Sequence, residues 1–343
     1  MAIAAVSPVV GATLNDARTL PHTLRVNAGS VPEAKLGWLR ATAAETPIEV
    51  IRQRLEQDEY VWIKGLIPSQ DVLAMREHYF SQYANTGLLE QDTNFVDGIY
   101  NSKDDAALHR GIGGGDPTGE DLDRLITAHK TPVYQQFVSH PNLRKMVREL
   151  MQWDEEIMLR RSMLRHNVPG GQSTGVHYDK LFLRGGQGFF LTAWVPIGDI
   201  SLSGGGLFYL QDSAKLGQAI EDDFDRRALT SGFSVEEKVS AFNAHMTSIG
   251  ILSDHPSEFE KDHERIAEGA GMSGRDYKWL VAEYEAGDVV FHLPCSVHSS
   301  CMNEDPNGKI RLSTDLRFYN KKDYDEGRAD ERWMKYWTPG DGL

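Results

Sequence analysis

The spacing of apolar residues changes part-way along the chain, from helical in the first half to strand-like in the second. Residues 45–57 carry Ile48, Ile51 and Leu55 three to four positions apart, which predicts a helix. Tyr60-Val61-Trp62-Ile63 is aromatic and β-branched and reads as a short strand. Pro68-Ser69-Gln70-Asp71 opens a second helix, with Ser69 as N-cap and Val72, Met75 and Tyr79 on its apolar face. Residues 121–152 read as further helices, through Leu122, Leu125 and Ile126, then Leu143, Met146, Val147 and Leu150. From about Ile157 short β-type runs follow at 157–165, 188–197, 206–210, 279–284, 288–293 and 309–319, separated by glycine turns. Such a series predicts a barrel or jelly roll. An acidic, helix-prone insertion at about 214–276 interrupts it, either a lid over a site or a solvated decoration.

The expected organisation is one domain over 1–343. Residues 1–155 are mainly helical, with an irregular arm containing helical pieces up to about residue 45. Residues 156–320 hold the β core and its insertion, and 321–343 form a tail. The fold class expected is α+β. The glycine-rich stretch 111–119 lacks a preceding strand and a following Gly-Lys-Ser/Thr, so it reads as a flexible loop and not a phosphate site.

The chemistry concentrates in the second half. His177-Tyr178-Asp179 places an imidazole and a carboxylate at i and i+2, on one face of an extended segment. Alone the pattern is weak, since a surface pair or a core histidine bonded to an acid gives the same letters. Downstream, Ala286-Gly287-Asp288 turns into a hydrophobic strand leading to His292 and His298. The strand at 309–319 then puts Arg311, Ser313, Asp315 and Arg317 on one face. Two histidines and one carboxylate on different strands would fill one face of an octahedral ion. The three positions left open are the arrangement of non-haem iron(II) oxygenases. A structural zinc site would be closed and richer in sulfur.

Composition narrows the class without changing it. The 343 residues are 40% hydrophobic and 25% charged, enough for a sizeable core. A formal net charge of −14 argues against nucleic acid and against anionic membranes as partners. No apolar run reaches the length of a membrane span, and Met1 to Thr13 lacks a basic n-region. Two cysteines, Cys295 and Cys301, give no disulfide framework, so a cytoplasmic location is expected.

An ordered series of segments resembles the phytanoyl-CoA dioxygenase family of iron(II)/2-oxoglutarate oxygenases. It runs LEQDEYVWIKGLIPSQDVLAMREHY (55–79), SMLRHNVPGG (162–171), VHYDK (176–180), LTAWVPIGD (191–199), GGGLFYLQDSAKLG (204–217), AGDVVFHLPCSVHSS (286–300) and IRLSTDLRFY (310–319). The resemblance implies a double-stranded β-helix, a form of jelly roll. It implies His177, Asp179 and His298 as catalytic iron ligands, with 2-oxoglutarate as cosubstrate. Arg311, thirteen residues after His298, matches the arginine that grips the far carboxylate of 2-oxoglutarate. Ser300 matches a hydroxyl that helps hold that carboxylate, and Met163 and Trp194 match positions lining the cosubstrate pocket. His292 competes with His298, but its nineteen-residue spacing to Arg311 is long for the family. His292 is then left with a supporting role beside the ligands. The chain departs from the family where Asp212-Ser213-Ala214-Lys215 replaces the usual Gly-Ser-His-Lys, and in the long Asp179–His298 spacing that the insertion creates.

The implied reaction is oxidation of a C–H bond of a small metabolite by O2, with 2-oxoglutarate converted to succinate and CO2. Hydroxylation, desaturation and ring formation all fit, and Asp179 separates the chain from halogenating relatives, which lack this carboxylate. Tyr178, Lys180, Phe190, Arg317, Tyr100 and Asn101 are candidates for the cavity wall, in an enzyme of specialised metabolism. A homodimer stays open. Two other readings stand beside this one: a cupin-type metalloenzyme that does not use 2-oxoglutarate, and a catalytically silent metal- or metabolite-binding protein.

Overall fold

The computed structural model describes residues 19–109, 119–239, 251–272, 274, 276–336 and 338. Most of the glycine-rich stretch 111–119, the first eighteen residues, part of the insertion and most of the last residues of the tail lie outside them.

Where the sequence predicts an irregular arm with helical pieces up to about residue 45, the described residues open with strands. β1 (Thr23–Val26) and β2 (Gly29–Pro32) form a hairpin. β3 (Leu36–Trp38) and β4 (Ala41–Ala43) follow and join two larger sheets by parallel pairing. Runs this short show no readable alternation, and their pairing partners lie far along the chain, so local pattern does not reveal them. After them come α1 (Ile48–Asp58), β5 (Tyr60–Lys64) and α2 (Ser69–Ser81). The N-cap of α2 is Pro68 without a side-chain bond, and Ser69 is the first helical residue. Helices α3 (Gly119–Ala128), α4 (Pro132–Val138) and α5 (Pro141–Met151) then complete a helical layer.

The remaining strands are β6 (Glu156–Met158), β7 (Met163–Asn167), β8 (Phe190–Pro196), β9 (Leu207–Leu210), β10 (Trp279–Val281), β11 (Val289–His292), β12 (His298–Ser300) and β13 (Arg311–Asn320). The larger sheet runs β4-β5-β11-β8-β13-β6, with β7 also on β13, and the smaller runs β12-β9-β10-β3. The chain is thus a mixed α/β protein with several sheets.

Alternation sorts the larger sheet into two faces. Val61, Ile63, Leu164, Leu191, Ala193, Val195, Val289, Phe291, Leu312 and Leu316 pack under α1 to α5 in one apolar cluster. Burying such a side chain is worth roughly 1.5–3 kcal/mol, so a one-residue slip of any strand is strongly disfavoured. The opposite face carries Tyr60, Trp62, Trp194 and Val290. They meet Leu207, Tyr209, Ala282 and Tyr284 from the smaller sheet and its flanks. The two sheets therefore face each other across these residues.

The described part of the insertion is helical: α6 (Ala214–Thr230), α7 (Val235–Val239), α8 (Pro256–Asp262) and α9 (Glu264–Gly269). It packs on the outer face of the smaller sheet, where Leu216, Ile220 and Phe259 join Val176, Tyr178, Phe208, Trp279 and Val297.

Candidate metal centre

His177 and His298 sit on neighbouring extended segments that exchange backbone hydrogen bonds, each N–H donating to the other's carbonyl at 2.9 Å. Their ring centroids are 4.3 Å apart. Each imidazole is steered the same way: Nδ1 of His177 lies 2.8 Å from the Gly175 carbonyl, and Nδ1 of His298 lies 2.9 Å from the Ser296 carbonyl. A proton on each Nδ1 leaves both Nε2 atoms as acceptors for a cation. Asp179 starts a short 3-10 turn two residues after His177. Ligand atoms of His177, Asp179 and His298 all lie within 4.8 Å of one another, and all three residues are buried.

The electrostatics suit a metal. Burial pushes the His177 imidazole down to about 4, against an opposing pull from Asp179, so it is neutral at pH 7. Burial and the neighbouring histidines hold His298 well below its ordinary value. Burial opposes ionisation of Asp179, yet Arg317 beside it, with His292 and His298, outweighs that and holds the carboxyl well below its usual range. Neutral histidines and an ionised carboxylate are the protonation states a divalent cation requires.

His292 is close by without joining the triad. Its Nε2 lies 3.3 Å from Asp179 Oδ2 and its Nδ1 lies 3.3 Å from the Tyr209 hydroxyl. Among the described residues the mutually close group is His177, Asp179 and His298, which favours His298 as the ligand.

The predicted cosubstrate residues gather on the inward faces. Arg311 is buried, and its Nη1 donates to Ser313 Oγ at 2.6 Å. It forms no ion pair among the described residues, and its Nε has no hydrogen-bond partner. Burial and the nearby Arg165 lower its pKa to about 10, so it stays charged. Arg165, opposite Ser313 in register, is instead paired with Asp315 at 2.9 Å. Ser300 Oγ, Trp194 Nε1 and Asn167 Oδ1 are also buried without partners. Gly205 has φ +87°, and a Cβ there would stand 3.1 Å from Asn167 Oδ1 and 3.6 Å from the Arg311 Cβ, so glycine keeps this corner open. Unpaired buried polar atoms are costly, and Asn167 Oδ1 and Arg311, brought together beside Gly205, mark a place shaped for a polar ligand. Met163 is only half-buried and touches the cluster beneath the helices.

Several residues expected at the cavity wall have other work. The Tyr178 hydroxyl donates to Glu221 of α6 at 2.8 Å. Tyr100 donates to the Asp104 carbonyl and Asn101 to the Gly87 carbonyl, in loops. Phe190 packs with Leu159, Leu183, Tyr319 and Trp333. Lys180 is half-buried, and its pKa is lowered by burial against the pull of Glu221. Arg317 does reach the site, donating to Asp179 Oδ1 at 3.0 Å. Sequence reasoning missed Thr192, whose hydroxyl donates to Asp179 Oδ2 at 2.5 Å. The alternation of β8, which puts Thr192 on the face of Trp194, is the signal that could have found it. Cys295 and Cys301 are buried free thiols, pushed up by burial to about 12 and about 11.

The sequence pattern of the phytanoyl-CoA dioxygenase family matches residues 55–310. The chain belongs to that family. It is therefore a member of a family of oxidoreductase enzymes, as its segments suggested. The search of curated proteins found no match to the chain. Among solved structures it is similar to the non-heme alpha ketoglutarate dependent carbocyclase SnoK from nogalamycin biosynthesis, at 16% identity and a TM-score of 0.47, over 88% of this chain and 96% of that one. It is also similar to the non-heme alpha ketoglutarate dependent epimerase SnoN from the same biosynthesis, at 15% identity and a TM-score of 0.45, over 80% and 82%. Among the described residues no helix is long and apolar enough to cross a membrane.

Proposed function

We propose that the protein is an iron(II)- and 2-oxoglutarate-dependent oxygenase acting on a C–H bond of a small metabolite. The carrying observation is one pairing: a buried two-histidine, one-carboxylate cluster together with Arg311, a buried cation without a counter-ion. The two facing sheets fit a double-stranded β-helix, the fold this reading expects.

The donor set fits the metal. Two imidazole nitrogens and one carboxylate suit iron(II) and leave open positions, whereas no thiolate lies in the cluster to suggest structural zinc. Bound there, iron(II) with 2-oxoglutarate and O2 would supply the oxidant for C–H chemistry, releasing succinate and CO2. The chain's own residues do the rest. His177, Asp179 and His298 hold the cation. Arg311 binds the far carboxylate of 2-oxoglutarate through charge-assisted bonds, and Ser300 Oγ adds a donor. Trp194 lines the pocket and contributes its unpaired Nε1–H, and Met163, opposite Asp315 in register but packed against the cluster under the helices, supports the strand at the pocket's margin. Burial excludes water from the oxidant.

The same site without a use for Arg311 would be the cupin-type reading. Nothing else in the described residues neutralises that guanidinium, and this favours the cosubstrate. Anaerobic addition of 2-oxoglutarate to the iron(II)-loaded protein tests the proposal, because chelation through the 2-oxo group should produce a weak visible absorption band.

A further inference from the structure

We propose that Thr192, His292 and Arg317 form a receptor for the Asp179 carboxylate, positioning residues that leave it one free direction toward the metal. The proposal rests on the reading of His177, Asp179 and His298 as metal ligands. It adds the machinery that fixes how the carboxylate binds.

The three residues form one rung of the larger sheet. His292 on β11 is paired in register with Thr192 on β8, and Thr192 with Arg317 on β13. Their side chains leave the sheet on the same face and converge on Asp179, which arrives from outside the sheet. Thr192 Oγ1 donates to Oδ2 at 2.5 Å, His292 Nε2 lies 3.3 Å from the same oxygen, and Arg317 Nη2 donates to Oδ1 at 3.0 Å. An ionised Asp179 can only accept, so its contact with Nε2 calls for the His292 ring proton there, and the Tyr209 hydroxyl, 3.3 Å from Nδ1, is free to donate to the other nitrogen.

A carboxylate offers about four lone-pair directions. Three are taken by this rung, so about one remains for a cation. Asp179 is thereby held to single-oxygen ligation, and a second carboxylate oxygen does not occupy a position the cosubstrate or O2 needs. The receptor is built into the sheet and does not depend on residue 179. If its side chain is removed, an arginine, a hydroxyl and an imidazole N–H still point at the vacated volume. That is a site for a small monoanion of carboxylate type.

The test uses the full-length protein with cobalt(II) as probe, reading affinity and the visible d–d spectrum, with far-UV circular dichroism as the folding control. Arg317→Met, Thr192→Val and His292→Leu should each weaken cobalt(II) binding by about 10–100-fold, the range for loss of a group supporting a ligand. Arg317→Lys, Thr192→Ser and His292→Gln, which keep a donor, should recover most of the loss. Thr192→Val is nearly isosteric and removes no charge, so it is the arm expected to fold in any case. Asp179→Gly should bind cobalt(II) weakly. Formate should restore its affinity at least about tenfold, with the d–d spectrum returning toward wild type, and should fail to do so when Arg317→Met is added. The receptor is overturned if folded Thr192→Val binds cobalt(II) with wild-type affinity and spectrum. It is equally overturned if formate restores nothing, or restores the double variant as well. The ligand reading itself fails, as a separate result, if wild type binds no cobalt(II) or if His177→Ala binds it as tightly.

Discussion

Among the described residues Arg311 is a buried cation that forms no ion pair. Arg165 has Asp315 and Arg317 has Asp179, both at ion-pair distance. A buried guanidinium left this way is tolerable where a ligand completes it. Arg311→Ala should therefore raise the dissociation constant of 2-oxoglutarate by about 100-fold, the equivalent of about 3 kcal/mol from two charge-assisted bonds. Metal affinity without cosubstrate should stay near wild type in the same calorimetric titrations. Unchanged 2-oxoglutarate binding would favour the cupin-type reading. His177, Asp179, His298 and Arg311 were legible because each sits in a local pattern: H-x-D, the strand after Gly287, and an alternating strand. The rung around Asp179 was not legible. Residues 179, 192, 292 and 317 are brought together only by the pairing of three strands, and no local period encodes that register.

At the scale of elements, the described part of the insertion acts as a buttress. α6 begins against the segment that leads to His298: Ser213 Oγ accepts from the Val297 N–H at 2.9 Å, and Ala214 N–H donates to Glu59. Its middle braces the segment carrying His177 and Asp179. Glu221 accepts from Tyr178 at 2.8 Å and pairs with buried Arg184 at 2.6 Å. Just before α8, Ser253 pairs with Val176, one residue before His177. The insertion's helical character could be read from its composition, but its docking face could not, because its partner Tyr178 reads as a candidate for the cavity wall. Glu221→Ala should cost about 2–4 kcal/mol of folding stability, since it removes a buried carboxylate that accepts from Tyr178 and from Arg184. Urea denaturation measures this, and a loss under about 1 kcal/mol would mean the helix is decoration after all. The early strands were hidden for a different reason. β3 and β4 are three residues long and exist through parallel partners more than twenty residues away or at the far end of the chain.

For the whole molecule, the switch from helical to strand period predicted the helical layer and the sheets, and the apolar faces confirm why. Helix-side residues of β8, β11 and β13 must all point one way for the layer to close. The interior also sets a pH limit that the acidic net charge does not reveal. His129, His166 and His177 are buried, and burial brings each down to about 4 from the ordinary 6.5. The folded protein keeps them neutral where the unfolded chain would protonate them. Below about pH 6.5 the unfolded state binds more protons, so stability complete above that pH is lost as pH falls toward 4. For the metal-free protein each histidine should contribute a loss of about 2 kcal/mol between pH 7 and pH 5. Denaturant midpoints at the two pH values check this, and a midpoint that does not fall on acidification would contradict it.

The most direct test of the central claim is an anaerobic titration of the full-length protein with iron(II) and then 2-oxoglutarate, followed by visible absorption. A weak band should grow with 2-oxoglutarate and saturate at one equivalent of iron per chain, and it should be absent from folded His177→Ala and His298→Ala. No band in wild type, or a band that survives loss of either histidine, would contradict the assignment of His177, Asp179 and His298 as the iron site.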